Sequence, residues 1–335
     1  MIQQAIEKLT AGKDLTYAEA EGSMSEIMDG TATQAQVAGY LVALRMKGET
    51  IDEIAASASA MRAKCVPVDI PSSVLEIVGT GGDKSYSFNI STASAIVLAG
   101  GGVKVAKHGN KSVSSKCGAA DVLEALGADL KTTPDQAKKV FEACGFVFLH
   151  AQVYHPAMRF AAPVRGQLGI RTIFNILGPL ANPAKAEYQL LGVYDRTIAR
   201  PLCEVLVKLG AKRVIAVHGE DGLDEASCSE RTFCVEYRDG KYSEYYLTPA
   251  DFGVATHDKS EIVGGYPAEN AEILRKVMNG EKSAYRDAVV INSGLCFYLT
   301  GKAKNVFDGA RMAEEVIDGG KAKAVLEKYI VATKE

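Results

Sequence analysis

The 335-residue chain sets 38 Lys and Arg against 41 Asp and Glu, a formal net charge of −3, and 47% of its residues are hydrophobic. Such a composition supports a sizeable core in one large domain or two unequal ones, and the dispersed basic residues leave no electrostatic footprint for DNA or RNA. No apolar run approaches the roughly 20 residues of a membrane span, and no signal-peptide core opens the sequence.

Residues 1 to about 65 read as helices at 2–9, 17–28, 33–47 and 50–64. Val37, Tyr40, Leu41 and Leu44 recur at helical spacing, Thr33 and Thr50 suit N-caps, and Gly30 and Gly48 suit stops. From about Val74 the pattern changes to short β-rich runs alternating with helices, which argues for an α/β sheet. Strands are expected at 75–78, 103–106, 146–150, 190–194 and 214–217. The runs 232–237 and 242–247 flank Asp239-Gly240, a hairpin signal. From about Ala268 the chain reads as helical again. Seven cysteines, Cys65, Cys117, Cys144, Cys203, Cys228, Cys234 and Cys296, show no C-x-x-C pair. They are expected to be reduced thiols in a cytoplasmic protein rather than disulfides or a zinc site.

The most informative stretch runs from Val78 to Gly118. It holds two glycine- and hydroxyl-rich loops, each between an expected strand and an expected helix. Glycines let the backbone approach a ligand closely, and helix-start amides favour phosphate oxygens. Ser91 and Thr92 are expected to cap the apolar run 93–98. The chemistry implied is binding of a polyphosphate or sugar phosphate. A Walker loop would need glycines where Val78 and Asp83 stand, and a dinucleotide fingerprint beginning at Gly79 would need one at Lys84. Asp83 repels phosphate, and its presence makes sense where it orders loop amides or meets bound magnesium or ribose hydroxyls.

The motifs recur along nearly the whole chain: L-R-M-K-G-E-T at 44–50, G-T-G-G-D at 79–83, N-I-S-T at 89–92, K-H-G-N at 107–110 and A-D-V-L-E-A-L-G at 120–127. They continue with H-P-A-M at 155–158, R-T-I-F-N-I-L-G-P-L-A-N-P at 171–183 and H-G-E-D-G-L-D-E at 218–225. In this order and spacing the sequence resembles the anthranilate phosphoribosyltransferase family. The resemblance implies an α/β fold with a small all-helical domain, of the nucleoside phosphorylase/phosphoribosyltransferase type, with a mostly parallel central sheet flanked by helices. Residues 1–70 would form the helical domain, with about 159–183 returning to it, and 71–335 the large domain, with the active site in the cleft between them. The implied activity joins anthranilate to the ribose of phosphoribosyl pyrophosphate with Mg2+, in tryptophan biosynthesis, by a homodimer.

By the same resemblance, Gly79, Gly82, Asp83, Ser87, Asn89, Ile90, Ser91 and Thr92 bind phosphoribosyl pyrophosphate. So do Lys107, His108, Gly109, Asn110, Lys111, Ser112, Val113, Ser114, Ser115 and, by backbone or packing alone, Ala119. Lys107 is implied to supply a point charge. Ser91, Asp224 and Glu225 are implied to hold magnesium, while Asp221 and Glu220 stay unassigned. Arg165 is implied to bind the anthranilate carboxylate through two hydrogen bonds, with Arg159 and Arg171 as competitors. Gly79 and Asn110 are implied neighbours of the aromatic acid, Gly178-Pro179 a wall, and His108 and His155 candidates for its entry path. No catalytic acid or base is expected.

Cys117 and Ala119 stand where family members usually carry serines, yet neither change removes a charge or a metal ligand. A pyrimidine nucleoside phosphorylase would carry a K-x-S-G-R-G-type segment, which is missing. An inactive nucleic-acid-binding relative would lose the G-T-G-G-D and D-E motifs and gain a basic surface, which this chain does not.

Overall fold

Helices α1 (Ile2–Thr10), α2 (Tyr17–Met28), α3 (Gln34–Lys47) and α4 (Ile51–Ala63) open the chain in the computed structural model, which describes residues 1–112 and 115–335. Three of these helices start on the same device. Thr16, Thr33 and Thr50 accept the amide three residues on, and Glu19, Gln36 and Glu53 reach back to the cap amide. The Glu53 carboxylate is fully buried and also accepts from Leu15 N at 2.9 Å and Lys47 Nζ at 2.8 Å. One carboxylate of α4 thus ties α3 and the α1–α2 connection together, its burial offset by charge-assisted bonds.

Seven strands follow: β1 (Leu75–Gly79), β2 (Val105–Gly109), β3 (Phe146–His150), β4 (Tyr188–Gly192), β5 (Arg213–Gly219), β6 (Thr232–Arg238) and β7 (Lys241–Leu247), in the order β3-β2-β1-β4-β5-β6-β7. The first five run parallel, and β6 and β7 are antiparallel. Asp239 and Gly240 both take positive φ, 50° and 80°, as a two-residue hairpin turn requires. Strand β1 matches β4 from Leu75↔Tyr188 to Gly79↔Gly192, and β2 matches β3 from Val105↔Phe146 to Gly109↔His150. Between β1 and β2 the register holds at Leu75↔Val105 alone. The sheet therefore splits towards the carboxyl ends of these two strands.

The other helices are α5 (Ile90–Gly100), α6 (Ala119–Leu126), α7 (Pro134–Cys144), α8 (Ala151–Tyr154), α9 (Ala162–Leu168), α10 (Phe174–Leu177), α11 (Ala199–Lys208), α12 (Pro267–Met278), α13 (Ala284–Leu299), α14 (Val306–Asp318) and α15 (Lys321–Ala332). Alternation along the strands supplies two cores. Ile215 and Val217 pack with α5, α12, α13 and α14 on one face. Val214 and Ala216 share the other face with Leu202 and Leu206 of α11, Leu177 of α10, Val164 of α9, and Leu44 and Ile54 of the opening helices. Both faces are covered, which is why these strands read as near-continuous apolar runs. Among the described residues no helix is long and apolar enough to cross a membrane.

Strand β4 lies two residues earlier than the expected 190–194, and two other boundaries that differ from expectation move functional candidates. Helix α5 begins at Ile90 with Asn89 as its cap residue, so Ser91 and Thr92 lie inside its first turn. Asn89 makes no capping bond because its side chain faces Cys117 and Asn270 instead. Strand β2 starts two residues later than expected and carries Lys107 and His108 within it.

Candidate active site

The carboxyl ends of β1 and β4 meet at paired glycines, Gly79 and Gly192. A methyl group on Gly79 would overlap the Asp224 carboxylate, and one on Gly192 would overlap the Asp224 carbonyl. The strands end in glycine because Asp224 occupies the space a side chain would need. From there Asp224 Oδ2 accepts the Gly81 amide at 2.6 Å. Gly81 and Gly82 both take positive φ, 71° and 75°. Arg171 closes the loop from outside, donating to Gly82 O at 2.5 Å while stacking on Tyr194 with its guanidinium 4.0 Å from the ring centre. Arg171, a competing choice for the aromatic carboxylate, is thus occupied in holding the glycine loop.

Glu225 reaches the other way. Its Oε1 accepts the Ser91 amide at 2.9 Å, at the amino end of α5. Adjacent carboxylates therefore grip the first glycine loop and the start of the helix that follows it. Lys107 joins them from β2, buried to 2% exposure rather than standing as a solvated strand-end group. Its Nζ donates to Ile77 O at 2.6 Å and to Ser91 Oγ at 3.1 Å. An ammonium carries three protons, so one remains for a ligand.

Burial sets the electrostatics. It pushes Asp224 up to about 7, with the Asp83 carboxylate adding to the rise, and holds Glu225 well above the usual range, with Asp224 and Asp83 contributing next. A buried Asp83 oxygen has no hydrogen-bond partner among the described residues. Two acidic groups reluctant to ionise, beside a third carboxylate with an orphaned oxygen, fit a site completed by a cation. Among the described residues no three His, Cys, Asp or Glu side chains form a ready metal cage. Magnesium does not need one, since it retains waters and binds one or two carboxylates together with substrate phosphates. Ser91 Oγ, Asp224 and Glu225 fit that pattern.

The second loop is ordered by Asp121, whose Oδ2 accepts the amides of Ser112 at 2.9 Å and Gly118 at 2.8 Å. Asn110 Oδ1 accepts the Lys111 amide at 2.8 Å, and Lys111 pairs with Glu124 at 2.7 Å. Ser112 and Ser115 bond to each other through their hydroxyls at 2.8 Å. Val113 and Ser114 lie outside the described residues. Gly109 faces Ala119 and Phe148, with no room for a side chain. In the first loop Ser87 bridges to Val263, Ile90 is fully buried, and Thr92 is buried with its hydroxyl unpartnered. Ile90 can thus serve a ligand only through backbone or packing. Cys117 is buried, its thiol 3.4 Å from Asn89 Oδ1.

Arg165, on α9, is half-buried over Phe174, 5.2 Å from the ring centre, and has no ion-pair partner among the described residues. Burial lowers its pKa, the mark of a guanidinium short of an anion. Arg159 is exposed and lies over Phe160. His108 and His155 are buried edge to face, ring centres 4.9 Å apart. His108 Nδ1 lies 3.2 Å from Gly178 O, and Nε2 of each ring has no partner among the described residues. Burial pushes His108 down to about 3, helped by His155, and His155 down to about 4, so both are neutral. Of the unassigned acids, Asp221 shapes its own turn by accepting from Ser227 Oγ at 2.8 Å, and Glu220 pairs with Arg231 at 3.2 Å.

Sequence reasoning missed several supporting residues. Asn270 donates to Asn89 Oδ1 at 3.0 Å from α12, and Asp121 orders the second loop. Asp121 had a readable signal, since it stands at the third position of α6, where a carboxylate reaches back to the cap amide. Asn270 had none.

This architecture agrees with known proteins. Residues 72–323 match the α/β domain of a glycosyl transferase family, and residues 3–65 match its helical bundle domain. The chain is 54% identical over 333 residues to the anthranilate phosphoribosyltransferase of Methanobrevibacter smithii, covering 99% of each. It superposes on the crystal structure of the Thermus thermophilus anthranilate phosphoribosyltransferase with a TM-score of 0.93 and 43% identity, covering 99% of both chains. For the Saccharomyces cerevisiae enzyme in complex with PRPP and Mg the TM-score is 0.91 at 30% identity, covering 99% of this chain and 98% of that one. The split sheet, the glycine-flanked acidic pair and the helical layer thus occur in a chain that belongs to the anthranilate phosphoribosyltransferase family.

Proposed function

We propose that this site transfers the phosphoribosyl group of 5-phosphoribosyl 1-pyrophosphate to the amino group of anthranilate, releasing pyrophosphate, in tryptophan biosynthesis. The bond from the anomeric carbon to the pyrophosphate oxygen breaks, the bond to nitrogen forms, and the amine loses one proton. Such a displacement passes through an oxocarbenium-like state. An aromatic amine is already uncharged at neutral pH, so orientation and electrostatics carry most of the catalysis.

The observation that carries this reading is the convergence on one spot of the Gly81 amide, the Ser91 amide, Lys107 Nζ and the Asp224–Glu225 pair. The loop 79–83, the first turn of α5 and the K-H-G-N end of β2 hold the activated sugar, with Asn89 and the described residues of 107–115 around it. Asp224, Glu225 and Ser91 Oγ would hold magnesium, which when bound draws off the charge of the departing pyrophosphate. Arg165 takes the anthranilate carboxylate, with Asn110, Gly79 and the neutral imidazoles of His108 and His155 along the path of the ring. Anthranilate fluorescence should fall when phosphoribosyl pyrophosphate and magnesium are added together. Undiminished fluorescence in the folded protein would refute the reading.

The same reading assigns a helical domain to residues 1–70 with about 159–183, a large domain to 71–335, a homodimer joined through the helical part, and a cytoplasmic location. Sedimentation equilibrium at twice the chain mass supports the dimer, and a single-chain mass rejects it.

A further inference from the structure

The split between β1 and β2 removes the ladder hydrogen bonds that the register Leu75↔Val105 would continue between Ile77 and the flanking Ala106 and His108, and buried side chains replace them. Glu76, 0% exposed, accepts the His108 amide through Oε1 at 2.9 Å. Lys107 returns the exchange, donating to the Ile77 carbonyl. The second Glu76 oxygen receives Asn182 Nδ2 from the G-P-L-A-N segment, and that same nitrogen donates to Ala106 O at 2.8 Å. Asn182 Oδ1 accepts the Ala184 amide at 2.8 Å. The G-P-L-A-N segment is anchored from other elements too. Gln189 of β4 donates to Pro179 O at 2.8 Å, and Arg62 of α4 donates to Leu180 O at 2.7 Å.

A fully buried carboxylate is an unusual substitute for a backbone ladder, since burial penalises its charge and pushes Glu76 up to about 8. An apolar side chain here would leave the His108 amide and one N–H of the Asn182 side chain unpaired inside the protein. A continued ladder would satisfy His108 but close the split. The arrangement keeps β1 and β2 apart while fixing their offset.

We propose that Glu76 and Asn182 are positioning residues for the transfer: their buried bridge sets the K-H-G-N end of β2 against the Gly178-Pro179 segment, and so one substrate against the other. The proposal rests on the reading of the site given above. Relative placement of two reactants appears in turnover rather than in the binding of either one. Glu76→Gln keeps an oxygen for the His108 amide but turns one NH2 group onto another. Asn182→Asp sets two carboxylates face to face. The double variant again places a donor opposite an acceptor, although the Ala106 carbonyl stays without its donor in both Asn182→Asp chains.

The test is steady-state kinetics on the folded fraction of each variant. Each single variant should lose about 10- to 100-fold in kcat, with both KM values close to native. The double variant should turn over faster than either single variant. A merely structural role would lower the melting temperature and leave kcat of the folded chains unchanged. Native kcat in folded Glu76→Gln, or a double variant no faster than the faster single, would overturn the proposal. Should Glu76→Gln fail to fold, Asn182→Ala cuts the bridge from the other side, and native kcat there would overturn it equally. Lys107→Met and Arg165→Ala measured in parallel separate the two readings: native kinetics in both would reject the site assignment, whereas the bridge is judged on its own single and double variants.

Discussion

Asp224 and Glu225 are held where burial opposes ionisation, reinforced by the charge of Asp83 on Asp224 and of Asp224 and Asp83 on Glu225, yet their backbone contacts keep them aimed at the glycine loop and the start of α5. Asp224→Asn with Glu225→Gln retains oxygens for the Gly81 and Ser91 amides and removes the repulsion. Turnover should nearly vanish at ordinary magnesium while thermal stability holds or rises; native turnover would remove the pair from the mechanism. Arg165→Ala should raise the KM for anthranilate, with a loss of about 1.5–3 kcal/mol, or about 10- to 150-fold in kcat/KM, and leave the KM for the activated sugar nearly unchanged. Lys107→Met, which fills the buried stem's space, should do the reverse. Equal losses for both substrates in the Arg165 variant would mean that the aromatic acid binds elsewhere. Asp224, Glu225 and Lys107 were legible in the sequence because each sits inside a contiguous motif, and Arg165 was implied by the family resemblance alone. The contacts made by Arg171, Asn270 and Glu76 were not legible, because they reach backbone or amide groups 89, 181 and 32 positions away.

At the scale of elements, the glycines that end β1 and β4 do more than permit a turn. Gly79→Ala and Gly192→Ala each drive a methyl into Asp224, so each should cost roughly 1–3 kcal/mol by overpacking and displace the acidic pair. Urea melts of both variants, read beside their magnesium dependence, check this; an active Gly192→Ala chain of native stability would show that the contact is not tight. Helix and strand order was readable because apolar period and caps agree along most of the chain, as in the Thr-x-x-Glu and Thr-x-x-Gln starts of α2, α3 and α4. The start of α5 was misplaced because Asn89, the true cap residue, spends its side chain on Cys117 and Asn270, so the hydroxyls of Ser91 and Thr92, two and three positions later, looked the better cap. The late start of β2 was hidden because Val103 to Ala106 is apolar enough to pass for the strand itself.

Across the whole molecule, acid should weaken the fold through its buried histidines. His155 is neutral in the folded chain and held at about 4, below the ordinary histidine value near 6.5. The unfolded chain therefore binds the extra proton first as pH falls. The stability this neutral ring contributes is full above about pH 6.5 and is lost between there and about pH 4, up to about 3 kcal/mol. His155→Gln should flatten that part of the pH profile in denaturant titrations, and an unaltered slope would assign the loss to other groups. The two cores have a further consequence. The sheet is a wall common to both, and α4 packs on α11, whose Leu202 and Leu206 lie against the sheet face with Val214 and Ala216. A chimera that exchanges residues 1–65 for those of a relative would therefore bring in a helical layer fitted to another protein's wall. Its mismatches would fall on those apolar contacts, not in the connection before β1, so repair by directed evolution should select changes on α11 and the sheet face.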